Sequence, residues 1–171
     1  MLTYKLGIAI LFTAIFPTTT LSAQSLCNLL PAPAVQSALG LTTPLTATPD
    51  TDGGNGCDYK GATPGPIIVM ADTSDSSGIV GTMFNQRLTK LGPNAALVSG
   101  VGEAAYYDES HHQQIPKYPG VVFSKQDVVF RAKGKIVSFV CTFQGNGVPK
   151  STILALAQLA LSKPINTLKN Q

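Results

Sequence analysis

The sequence predicts an α+β domain, a mainly antiparallel sheet covered by three helices, on three observations. Strand-like stretches in the C-terminal half follow one another through tight glycine turns, which joins neighbours antiparallel. Val137, Phe139, Cys141 and Phe143 alternate, as on a strand with one buried face. Three apolar segments of helical spacing are too short to stand alone and must cover that sheet.

The first helix is expected over Leu26–Leu39, with Ser25 as N-cap, Leu30, Val35, Ala38 and Leu39 as its apolar stripe, and Gly40 as its end. Pro31 and Pro33 must lie in its first turn or interrupt it. Thr42–Gly56, rich in Pro, Asp and Gly, reads as an exposed loop. Cys57–Lys60 is a short strand, Gly61–Pro66 a turn, and Ile67–Ala71 an apolar run suited to a central strand. Asp75, Ser76 and Ser77 offer caps for a second helix, whose Ile79, Val80, Met83, Phe84, Leu88 and Leu91 recur at helical spacing before Gly92-Pro93 stops it. After Ala96–Val98 and the Ser99–Gly102 turn, Glu103–Tyr107 reads as a strand and the polar Asp108–Gly120 as a surface loop. Gly120–Ser124 and Val128–Arg131 are strand material, joined to Lys135–Phe143 by a hairpin turn with Gly134 at its permissive position. Gly145-Asn-Gly147 then leads into the last helix, with Pro149 and Ser151 in its first turn and Ile153, Leu154, Leu156, Ala157, Ala160 and Leu161 along it.

Lys5, the uncharged run Leu6–Phe16, the breaker Pro17 and the small, polar Thr18–Ala23 have the order of a secretory signal peptide over 1–23. Cleavage is expected after Ala23, with Ser25 the second choice. A membrane span needs roughly 20 apolar residues, and this run is shorter. The reading places the mature chain outside the cytoplasm, secreted or periplasmic. It is expected as a monomer with one domain over 24–164, no transmembrane segment and a frayed tail over 165–171. Leu26 before Cys27 is the wrong neighbour for lipoprotein acylation. Charged residues make up 12% of the chain and the net charge is only +3, without a basic block, so nucleic acid is not the expected partner.

The three cysteines cannot all pair within one chain. Cys141 sits on the alternating apolar face and behaves there as a small hydrophobe, which favours Cys27–Cys57. A Cys57–Cys141 bridge that leaves Cys27 free is the rival, since spacing does not fix connectivity.

Cys27-Asn-Leu-Leu30 followed by Ser37-Ala-Leu-Gly40, then Cys57-Asp-Tyr59, then Ser99-Gly-Val-Gly-Glu-Ala-Ala-Tyr106, a lysine-glycine hairpin and a final helix together resemble an exported bacterial family known as domain of unknown function 3558. The likeness runs from Leu26 to Pro164. It implies pairing of the first two cysteines and a place in the cell envelope. Many such proteins look like lipoproteins, and this chain departs from them at Leu26. The family has no established activity, so the likeness supplies no catalytic residue and no cofactor.

Asp108, Glu109, His111 and His112 gather carboxylates with both histidines of the chain, a set able to hold zinc or a harder metal. No HExxH spacing accompanies them, and adjacent side chains on extended backbone point apart. The Gly100-Val-Gly102 string lacks the following helix that a phosphate loop needs, and no serine stands in a nucleophile elbow. These observations favour a non-enzymatic binding or interaction module that meets an envelope protein or a small ligand. The alternatives are an envelope hydrolase or metal-dependent enzyme using the His111/His112 segment, and a carrier holding a small hydrophobic ligand beneath the last helix.

Overall fold

The computed structural model describes residues 25–49, 56–61, 68–90, 94–114 and 119–168, with 68–73 and 110–114 traced by backbone alone. The expected leader 1–23, most of the Gly61–Pro66 turn, the Gly92-Pro93 helix stop and residues 169–171 of the tail lie outside them. The elements run α1 (Leu26–Leu29), α2 (Ala32–Ala38), β1 (Leu45–Pro49), β2 (Cys57–Gly61), β3 (Ile68–Asp75), α3 (Gly78–Thr89), β4 (Ala95–Leu97), β5 (Ala104–Gln114), β6 (Val122–Ala132), β7 (Lys135–Gln144) and α4 (Lys150–Leu161). A single 3₁₀ turn, Ile165–Thr167, follows. The strands form one antiparallel sheet in the order β1-β2-β3-β7-β6-β5-β4. The chain climbs β1 to β3, crosses through α3 to the far edge, and returns by hairpins until β7 closes against β3.

The α+β class, the antiparallel sheet and the Cys27–Cys57 bridge are as expected. Four α-helices stand where three were expected, because Pro31 splits the first. A residue before proline is pushed out of the helical region, and Leu30 has φ −122° and ψ 74°. Its carbonyl loses the intrahelical partner it would have had. Tyr59, fully buried on β2, donates its hydroxyl to that carbonyl at 2.6 Å. The bridge lies one step along the same strand face and joins α1 to β2 with Cα atoms 5.1 Å apart. Two side chains of β2 thus fasten a kinked helix that has too few residues to hold itself.

Three other expectations change. The Thr42–Gly56 segment is not wholly loop: Leu45–Pro49 pairs with β2 as an edge strand, and proline is tolerated there because an edge leaves one side unpaired. The Asp108–Gly120 loop is strand as far as Gln114, paired with β6 through an irregularity between Ser110 and Gln113. Its backbone bonds are supplied by β6, so the strand needs no apolar alternation to persist. The tail is ordered as far as Leu168. Ile165 is fully buried and Leu168 nearly so, both in the main core, which gives the segment after Pro164 an anchor that a frayed end lacks.

That main core lies on one face of the sheet, where Phe130, Val137, Phe139 and Phe143 meet α1, α2 and α4. Each fully buried side chain of this size contributes roughly 1.5–3 kcal/mol of transfer free energy. Cys141 is a free, buried thiol among them, as expected, and burial pushes its pKa up. The β6–β7 turn puts Lys133 at φ 53° and Gly134 at φ 75°, the left-handed pair that a two-residue hairpin requires. Lys133 repays that conformation by donating its ammonium to the carbonyls of Leu161 (2.8 Å) and Lys163 (3.0 Å), at the negative end of α4.

Buried polar groups on this face are paired. Gln126 donates to Val148 O (2.7 Å) and to the Tyr107 hydroxyl (2.9 Å), and accepts from Val148 N (2.9 Å). Tyr107 donates its hydroxyl to Glu109 at 2.7 Å. The Gln126 amide therefore acts as one more strand residue, pinning the β7–α4 connection. Gly102 serves a different need: its φ is +57°, and an added Cβ there would stand 2.5 Å from Arg131 O. A strand follows it, as the sequence indicates, so the Gly-Val-Gly string is a close-packed turn.

Candidate functional site

The opposite face of the sheet is covered differently. Antiparallel register places Ile136 and Ser138 of β7, Asp127 and Val129 of β6, and Tyr106 and Asp108 of β5 on it together. Among the described residues, α3 is the helix that lies over them. Among the described residues at helical spacing on α3, Phe84 is buried, packed on Tyr106 with ring centroids 6.0 Å apart, and Leu88 is half-buried. Ile79 is 80% exposed, Met83 50% and Val80 39%. Leu97, on edge strand β4 and in register with Tyr106, is 67% exposed. A soluble surface seldom gathers large apolar side chains without a use for them.

Between α3 and this face lie two adjoining cavities that meet at Met83 and Arg87. One, of about 300 Å³, is apolar in its walls: Val80, Met83 and Phe84 above, Val129 and Ile136 below, with Ser74 and Ser138 at the side. The other, of about 430 Å³, is charged: Arg87 and Lys90 stand on the helix, Asp108 and Asp127 on the strands, with Gln86 and Tyr106 between. Both volumes fall within the range of small-molecule sites. Helix spacing explains the change of character, since Val80, Met83 and Arg87 succeed one another along one side of α3.

Asp108 and Asp127 are direct cross-strand partners, and like charges so placed destabilise a sheet. Asp127 Oδ2 pairs with Lys125 at 2.7 Å, while its Oδ1 is buried with no hydrogen-bond partner among the described residues. Burial pushes the Asp127 carboxyl above its ordinary range; Lys125 pulls it back, and Asp108 adds to the rise. A buried acceptor left unpaired costs free energy unless something else supplies a donor.

Of the cluster Asp108, Glu109, His111 and His112, the two carboxylates stand on opposite faces of β5. Asp108 lines the groove, whereas Glu109 lies on the opposite face of β5 and accepts the hydrogen bond of Tyr107 there. His111 and His112 lie on the β5 backbone, and their side chains are outside what the structure describes. Among the described residues no group of three or more His, Cys, Asp or Glu side chains is placed to hold a metal ion. Beneath the last helix, where a groove for a small hydrophobic ligand is expected, Ile153, Leu156, Ala157 and Ala160 of α4 are fully buried against the core, while the two cavities described above lie across the sheet. Sequence reasoning missed Arg87, Lys90 and Asp127. For Asp127 the signal is the pattern of β6, where the charged Lys125 and Asp127 fall on one face; Arg87 and Lys90 carry no signal in the sequence that separates them from other exposed helix cations. Comparison with family models, with curated proteins and with solved structures returns no match.

Proposed function

We propose that this protein is an exported, non-enzymatic binding module of the cell envelope, with the trough between α3 and the sheet as its binding surface. The observation that carries the reading is the unequal cover of the two faces. One is sealed by α1, α2 and α4; the other keeps a helix held mainly through Phe84, exposed Ile79, Val80 and Met83, and two joined cavities beneath. The divergence of Asp108 and Glu109 takes support from the hydrolase or metal reading and adds none to it. The signal-like order of residues 1–23, the Cys27–Cys57 bridge and the resemblance to the domain of unknown function 3558 family support placement in an oxidising compartment.

The binding claim is tested with the dye anilinonaphthalene sulfonate on the folded protein. Saturable binding at one dye per chain is expected, and Met83→Glu is expected to abolish it while leaving the thermal midpoint in place. Dye binding that Met83→Glu leaves unchanged would remove the groove from the account. Export is tested by intact mass of material from the native envelope: a chain beginning after Ala23 or Ser25 is expected, and retention of residues 1–23 would overturn it.

A further inference from the structure

From the charge layout of the groove we infer that its occupant is a zwitterionic, single-chain lipid. Its ammonium sits over Asp108 and Asp127, its phosphate at Arg87 and Lys90, and its acyl chain along Val80, Met83, Val129 and Ile136. The inference rests on the binding reading above and adds the ligand's chemistry to it. Three features of the site argue for it. The cross-strand carboxylates Asp108 and Asp127 both line the cavity floor, and an ammonium above them offsets the repulsion of two like charges so placed. Arg87 and Lys90 face that floor from the helix across the same cavity, so a ligand with only a cation meets repulsion from above and one with only an anion meets it from below. A head that carries both charges satisfies both walls, and guanidinium is the side chain best matched to phosphate.

The apolar cavity adjoins this charged end at Met83 and Arg87. With roughly 30 Å³ for a water-sized group, its volume of about 300 Å³ takes about ten methylene-sized units, which is one chain and not two. Lys125 pairs with Asp127 at 2.7 Å, so the net negative charge of the floor is the single charge of Asp108. A single ammonium matches that one remaining charge without displacing Lys125.

The test is isothermal titration of the folded protein with four lauroyl-chain amphiphiles, each below its micelle concentration: lysophosphatidylethanolamine, lysophosphatidylglycerol, laurylamine and monolaurin. The zwitterion is expected to bind about tenfold more tightly than any of the others, the effect of one charge-assisted hydrogen bond. Asp108→Asn with Asp127→Asn is expected to reduce it to the level of lysophosphatidylglycerol, and Arg87→Gln, on the cavity-facing side of α3, to that of laurylamine. Equal binding of all four would overturn the ligand class and leave the groove as a general apolar site. Binding of none, or displacement of the dye by an amphipathic peptide alone, would overturn it in favour of a protein partner or of no site there.

Discussion

Replacing Cys27 and Cys57 together by alanine should cost the protein a large share of its stability, and the size follows from the fold. The bridge joins residues 30 apart, and in the chain-entropy treatment a loop of that length lowers the entropy of the unfolded chain by about 12 cal/mol/K, or about 3.6 kcal/mol at 25 °C. Small domains hold roughly 5–15 kcal/mol in all. The folded state keeps the Tyr59–Leu30 hydrogen bond and the core contacts of α1 in the variant, so most of the loss belongs to the freed unfolded chain. Urea unfolding followed by far-ultraviolet circular dichroism and by tyrosine fluorescence measures it; the chain has no tryptophan. The expected result is a midpoint shift worth about 3–4 kcal/mol with a steeper dependence on urea, because an uncrosslinked unfolded chain exposes more surface. A loss below about 1 kcal/mol, with native circular dichroism, would refute the reasoning, and the bridge would then be ornamental to a helix already held by packing.

Other outcomes follow from the same structure. Tyr59→Phe leaves the Leu30 carbonyl buried without a donor and should cost about 1–3 kcal/mol by urea unfolding, with no change in circular dichroism. Phe84→Ala removes the main anchor of α3 and should cost about 3 kcal/mol, the low end for a buried phenylalanine because this face is half open. Its signature is faster amide exchange in α3 and tryptic cleavage at Arg87, with β6 and β7 still protected. The raised Asp127 carboxyl means that the folded state holds a proton more tightly than the unfolded one. Its contribution therefore falls as pH rises from the ordinary value of 3.8 through the elevated folded value, and is constant above that. Asp127→Asn should flatten that part of the midpoint-against-pH curve. Asp75, lowered chiefly by the backbone N–H of Ser77, acts with the opposite sign, and its contribution is lost as pH falls through its depressed value.

The hairpin strands β6 and β7 were legible because their signals are local, and the bridge was favoured only through the place of Cys141 on the apolar face. Alternation from Val137 to Phe143 marks the buried face, and the Lys133-Gly134 turn fixes the β6–β7 register. Leu30 was harder to place: Pro31 announces an interruption, but only the fold shows that Tyr59, far along the chain, takes up the abandoned carbonyl. The groove was least legible. Helical spacing in α3 says that Ile79, Val80, Met83 and Phe84 share a side, and it carries no information about how closely that side meets the sheet. The pairing of Asp108 with Asp127 depends on the β5–β6 register, which the irregularity between Ser110 and Gln113 helps to set. Residues 108–114 read as loop because they are polar, and polarity does not distinguish an exposed loop from a strand whose backbone is paired.

The central claim is that ligands enter between α3 and the sheet face it leaves half covered. Methyl-resolved NMR of the folded protein during titration with lauroyl lysophosphatidylethanolamine tests it most directly. The methyls of Met83, Val129 and Ile136 are expected to shift together and saturate, while those of Ile153 and Leu156 across the sheet stay fixed. Shifts confined to Ile153 and Leu156, or none at saturating ligand, would contradict the account.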